Sequence, residues 1–148
     1  MAVITCDVII QGTRRDAVFA WLREPDHHRA LLEGAFARVE SVGSGVFELD
    51  LTLTAKLSHR LCYEFVRADD EHGGRRVHVR TMGRRVKGAL RYSLSTAQPS
   101  ADTLVTLHLD YSPGRALGLL VDRLMLRQAL ERASHAMLQN LALQFGSE

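Results

Sequence analysis

The chain opens on a strand-like alternation. Apolar and polar residues interchange from Ala2 to Gln11, "AVITCDVIIQ", and the run stops at Gly12–Thr13. Thr13 stands where an N-cap belongs, and Asp16 completes a capping-box-like start, so a helix is expected from Arg14. In "RRDAVFAWLRE", Val18, Phe19 and Leu22 share one face, with Trp21 alongside. Pro25 ends that helix and opens a second short one, "PDHHRALLEG", which Gly34 terminates.

From Phe36 the period changes to two. "FARVESV" and "VFELDLTLT" flank "GSG", the signal of a hairpin. Phe47, Leu49, Leu51 and Leu53 fall on one face of the second run, and Glu48, Asp50 and Thr52 on the other. "KLSHRLCYEFVRA" follows, with Leu57, His59, Leu61, Tyr63 and Phe65 in one phase. "DDEHGG", "GRR" and "AQPSAD" then separate "RRVHVRTM", "VKGALRYSLS" and "TLVTLHLDY". The pattern therefore predicts one strand, two short helices, a six-stranded meander and a long final helix.

That last helix is expected from Gly114 to Phe145 and would be about 48 Å long at the usual rise per residue. Leu119, Leu126, Leu130, Ala133, Met137 and Leu141 form one apolar stripe; Gln128, Glu131, Arg132, His135 and Gln139 lie opposite. Its start is apolar all round, through Leu117, Leu119, Leu120, Val121, Leu124, Met125 and Leu126. This start is expected to pack on the two short helices, or else to form a pocket mouth, a dimer contact or a membrane-touching lip. A sheet with one apolar face needs a cover, and a helix with one apolar stripe needs a floor. Seven twisted antiparallel strands curled around the helix satisfy both, an α+β architecture in a single domain spanning 1–148.

Composition narrows the picture only a little. The 148 residues are 46% hydrophobic and 24% charged, with a net charge of +2, as in an ordinary globular protein. The N-terminus lacks the basic start and cleavage site of a signal peptide, and the default expectation is a cytoplasmic protein. Cys6 and Cys62 have neither disulfide-framework nor metal-ligand spacing and read as reduced core thiols. Arg75, Arg76, Arg80, Arg84, Arg85, Lys87 and Arg91 form a stretch without an acid. Most of them fall in the outward phase, so a solvated face is expected, offset by Glu48, Asp50 and Glu64 on other strands. An anionic partner or headgroup is the alternative. Nucleic acid is not expected, because that face has little aromatic interleaving and the chain has no recognition helix.

The order of elements, with Ala17-Val18-Phe19, then Leu22, Pro25 and Asp26 in an "L-x-x-P-D" pattern, the Gly43–Gly45 hairpin and a glycine-led last helix, resembles the START-like or SRPBCC superfamily of helix-grip proteins. "HHRALLEGAFARVESVG" is most similar to polyketide cyclase-like bacterial proteins and to the bacterial subgroup named after an accessory component of carbon monoxide dehydrogenase. It departs from them at Glu33, where relatives often have Pro, and in lacking a tryptophan in the second helix. The resemblance implies a cavity between sheet and helix that holds a lipid, polyketide, quinone or other apolar molecule.

Candidate chemistry lies in that space. His59, Tyr63, Thr81 and Tyr92 are polar residues in the apolar phase of their strands. They are expected either to be satisfied core groups or to hydrogen-bond a ligand carbonyl or hydroxyl. His59, Tyr63 and Tyr92 are also the candidates for acid–base work in a cyclisation. The expected ligand lining is Phe47, Leu49, Leu51, His59, Leu61, Tyr63, Phe65, Thr81, Leu90, Tyr92, Leu107, Leu126, Leu130, Ala133 and Met137.

His27 and His28 point about 100° apart on a helix and do not converge on a metal, so both read as surface histidines. His108 and His135 read as solvated too. No nucleophile elbow, phosphate loop or zinc spacing is present, and neither metal nor cofactor is expected. The reading is a binder of a small hydrophobic ligand, monomeric or homodimeric. The alternatives are a polyketide cyclase/aromatase, or an accessory protein docking a membrane or partner through the start of the last helix.

Overall fold

A computed structural model of the chain describes residues 2–70, 74–83, 86–97, 102–113 and 120–146. Strand β1 (Ala2–Ile10) leads into helix α1 (Arg15–Leu22), a 3-10 turn at Pro25–His27 and helix α2 (His28–Leu32). The meander follows as β2 (Arg38–Gly43), β3 (Val46–Thr54), β4 (Leu57–Asp69), β5 (Arg75–Gly83), β6 (Val86–Ala97) and β7 (Asp102–Pro113), and α3 (Leu120–Gly146) ends the chain. The strands form one antiparallel seven-stranded sheet in the order β1-β7-β6-β5-β4-β3-β2, so only β1 leaves its place in sequence to pair with β7.

Inward and outward residues alternate as the period-two pattern requires. Phe47, Leu49, Leu51 and Leu53 of β3 are buried, as are Val105, Leu107, Leu109 and Tyr111 of β7. The phase breaks where the register shifts. An irregularity between Thr52 and Thr54 turns Leu57 outward, at 37% exposure, although it shares the parity of Leu61 and Tyr63. A second shift between Phe65 and Arg67 brings Ala68 opposite Val77. Thr13 does not cap α1. Arg14 takes the N-cap position without a side-chain bond, and the Thr13 carbonyl instead accepts the Thr103 hydroxyl at 2.6 Å.

The β2–β3 turn is locked by contact and by conformation. Gly45 has φ +70°, and a Cβ there would stand 2.6 Å from Pro25 Cβ and 3.0 Å from Phe65 Cβ. The absent side chain lets the hairpin lie on the 3-10 turn, where its carbonyl accepts Phe65 N–H at 2.9 Å.

Helix α3 is about 40 Å long and touches β1, β3, β7 and α2, so it spans the hollow of the sheet. Its stripe Leu126, Leu130, Ala133, Met137 and Leu141 is buried, while Gln128, Arg132, His135 and Gln139 are exposed. The expected start of the helix, from Gly114 to Leu119, lies outside the described residues, as do the side chains of Leu120 and Val121. Leu124 is exposed and Met125 half-buried. Asn140 fastens the helix to α2, its amide donating to the Leu31 and Glu33 carbonyls at 2.9 Å each.

Among the described cations of the basic stretch, Arg75 and Arg80 are ion-paired. Arg80 pairs with Glu64 across β4–β5, and Arg75 reaches Asp16 at 2.8 Å and Asp70 at 3.4 Å. Glu48 and Asp50 serve Arg38 and Arg60, so of the three expected acids only Glu64 answers the basic hairpin. Arg84 and Arg85 lie outside the described residues. Cys6 is buried and Cys62 half-buried, both free thiols. Among the described residues no helix is long and apolar enough to cross a membrane.

Candidate functional site

The polar centre of the core is built on His28. It opens α2, three and four residues before Leu31 and Leu32, so helical spacing puts all three on the face that packs against the sheet. His28 is fully buried, which corrects the expectation of a surface histidine. Its Nε2 lies 2.7 Å from the Leu22 carbonyl, which can only accept, so the ring proton sits on Nε2. Nδ1 is then the acceptor and takes the Tyr63 hydroxyl at 2.6 Å. With its proton committed, Tyr63 can only accept from the Tyr92 hydroxyl, 3.1 Å away; Tyr92 also lies 3.8 Å from the Met137 sulfur. A directed chain thus runs from β6 to β4 to α2 and ends on the last residue of α1.

Electrostatics hold every member of this chain neutral. Burial pushes the His28 pKa down to about 4, against the contrary pull of the Leu22 carbonyl. Burial also lifts Tyr63 well above the ordinary phenol value, helped by Tyr92, and lifts Tyr92 as well. The imidazole is a weak base here and the phenols are weak acids. His59 takes no part. It is buried on β4 opposite Leu51, four residues and roughly 13 Å along the strand from Tyr63. The expected grouping of His59 with the two tyrosines is therefore replaced by His28.

Beside this chain lies an apolar cavity between sheet and α3, of about 20 Å³, enough for one water molecule. Leu49, Leu61, Tyr63, Thr81 and Leu90 line it from the sheet, and Leu130, Ala133 and Met137 from the helix. All eight belong to the expected lining. Phe36, Val86, Leu109, Tyr111 and Ser134 complete it, none of them in the expected ligand lining. Val86 shares the phase of Leu90, and Leu109 and Tyr111 that of Leu107, so their signal was present in the alternation. Phe36, expected to begin a strand, lies instead in the α2–β2 connection.

The remaining expected residues sit elsewhere. Phe47, Tyr92, Leu107 and Leu126 are buried in the core without lining the cavity, and Leu51 lines a separate surface groove. Phe65 packs edge-on against the His28 ring, with centroids 5.3 Å apart.

Thr81, the fully buried Ser134 and Tyr111 carry hydroxyls on residues lining this space, and among the described residues none of the three makes a side-chain hydrogen bond. No group of three or more His, Cys, Asp or Glu able to hold a metal occurs among the described residues.

A curved antiparallel sheet gripping a long C-terminal helix, with two short helices after the first strand, is the START-like or SRPBCC type of fold, and the chain has it. No protein-family model and no curated protein matches the sequence. Among solved structures it is similar to a Thermus thermophilus protein (TM-score 0.74, 14% identity, 99% of this chain and 100% of that one). It is similar also to the Zhui aromatase/cyclase of a Streptomyces species (TM-score 0.70, 17% identity, 98% and 93%). Norcoclaurine synthase from Thalictrum flavum matches with TM-score 0.67 and 16% identity, over 99% of this chain and 87% of that one. At these identities the likeness is one of fold.

Proposed function

We propose that the protein binds a small apolar ligand in the space between the sheet and α3. The observation that carries this reading is an apolar cavity whose lining residues Thr81, Ser134 and Tyr111 carry hydroxyls that no described protein group uses. Such hydroxyls cost stability when buried unpaired and find their bonds in a water or in a ligand carbonyl or hydroxyl. Burial of ligand hydrocarbon supplies most of the affinity. The cavity must open on binding, because about 20 Å³ admits no organic molecule.

A cyclase is the second reading, favoured by the Tyr63 phenol on the cavity wall with His28 directly behind it. The similar structures named as an aromatase/cyclase and a synthase lend support that the fold hosts such chemistry. Against it, the Tyr63 proton is already given to His28, and neither group has a pKa near neutrality. Binding is the reading we adopt.

Native mass spectrometry tests it. Protein purified without detergent, or incubated with 2-naphthol, is expected to carry an added apolar mass that Leu61→Trp abolishes. A bare mass in every preparation, with no uptake of 2-naphthol, contradicts the proposal.

A further inference from the structure

We infer that the ligand is an apolar acid, that its ring enters by displacing Phe36, and that its carboxylate is held by Arg132. This rests on the binding reading above and specifies its site.

A groove of about 280 Å³ lies on the surface beside the closed cavity, lined by Gly34, Ala35, Ala37, Leu51 and Thr52 on one side and Ala129, Arg132, Ala133 and Ala136 of α3 on the other. Two observations join the groove to the cavity. Ala133 lines both spaces. In the α2–β2 connection Ala35 and Ala37 line the groove, while Phe36 between them turns inward to line the cavity. The half-buried Phe36 ring is thus the partition between an outer space and a space too small for a ligand. The backbone of the connection is held, Phe36 N–H by the Leu32 carbonyl at 3.2 Å and Ala37 N–H by the Asp50 carbonyl at 2.9 Å. The movement is therefore a rotation of the Phe36 side chain past its small neighbours Gly34, Ala35 and Ala37. When Phe36 swings out, the volume it vacates is that of an aromatic ring, already walled by Leu49, Leu130 and Met137.

Charge decides the other end of the ligand. Arg132 is the one charged residue lining the groove, and among the described residues it makes no ion pair or hydrogen bond. Arg127 on the same helix has Glu131 at 3.2 Å and Arg29 on α2 has Glu33 at 2.7 Å. Among the described residues Arg132 instead keeps its donors free beside the groove, as Arg76 and Lys87 do elsewhere on the surface. Arg132 precedes Ala133 on the helix, so its guanidinium stands at the rim of the joined spaces. A planar fork of donors at the edge of an apolar slot fits a carboxylate.

The test is isothermal titration of the whole chain with 2-naphthoate and with its neutral counterpart 2-naphthol. Arg132→Gln is expected to weaken naphthoate roughly ten-fold or more and to leave naphthol unchanged. Phe36→Leu, which keeps the connection apolar, is expected to tighten both probes. If naphthol binds but Arg132→Gln moves naphthoate no more than naphthol, the assignment of Arg132 fails while the binding reading stands. If both probes bind and Phe36→Leu changes neither, the displacement of Phe36 fails. Absence of binding by either probe to the parent and to Phe36→Leu overturns this inference together with the function it rests on.

Discussion

The Tyr63 hydroxyl lies 2.6 Å from Nδ1 of His28, and that contact joins the first helices to the middle of the sheet. Tyr63 comes from β4 and His28 from α2, and His28 Nε2 continues the link to Leu22 at the end of α1. Removing the hydroxyl leaves a fully buried acceptor unpaired. Tyr63→Phe should therefore cost about 1–3 kcal/mol in urea unfolding. His28→Leu combined with Tyr63→Phe should cost less than the sum of the two single changes, because the pair then loses both partners together.

The buried imidazole also makes stability depend on pH in a known direction. His28 titrates at about 4 in the folded chain against 6.5 as a free group. Below pH 6.5 the unfolded chain takes up the proton first, so stability is fully present above that value and falls as pH drops towards 4. A shift of this size corresponds to roughly 3 kcal/mol. Denaturation midpoints measured from pH 7.5 to 4 should show that loss in the parent, and His28→Leu should flatten the slope over the same window.

Much of this architecture is legible in the residue pattern, and the failures have physical causes. Alternation in β3, β6 and β7 gives the inward set because each strand is apolar on one face only, so a one-residue slip would expose it. Leu57 breaks the rule because a register shift at Thr52–Thr54 intervenes, and no periodicity reports a bulge. The burial of His28 does have a signal in the sequence. Its spacing to Leu31 and Leu32 marks the apolar side of α2, but the adjacent His27 and Asp26 suggest a solvated helix start. His27 is indeed exposed, its ring 4.9 Å from that of Trp21. Cavity volume and the place of Phe36 depend on how side chains from six elements and the α2–β2 connection fit together, which no single stretch of sequence encodes.

Thr81 and Ser134 separate a ligand site from a packed core. If their hydroxyls serve a ligand, Thr81→Val and Ser134→Ala should leave thermal stability unchanged or slightly raised, since no protein bond is lost. The same changes should weaken 2-naphthol binding by about 3- to 10-fold, the worth of one neutral hydrogen bond. Titration calorimetry alongside thermal unfolding reads both effects.

Asn140 is the link between α3 and the carbonyl end of α2. Asn140→Ala abandons two acceptors, the Leu31 and Glu33 carbonyls, and should cost about 1–3 kcal/mol. Hydrogen exchange should accelerate first in α2 and the connection that carries Phe36.

Gly45→Ala should be among the more damaging small substitutions. The new methyl would meet Pro25 Cβ at 2.6 Å while the backbone keeps φ +70°, so strain of about 1–3 kcal/mol is expected. Unfolding of the variant in urea, compared with the unobstructed Gly12→Ala, isolates the part due to contact from the part due to conformation.

Binding requires the space beneath α3 to open and take an apolar molecule. Methyl-selective NMR during titration with 2-naphthol tests this opening most directly. Saturable shifts are expected at the methyl groups of Leu49, Leu61, Leu90, Leu130 and Met137, accompanied by a change at the Phe36 ring. Shifts confined to outward residues such as Val3, Ile9 or Leu143, or no saturable shift at all, would contradict it.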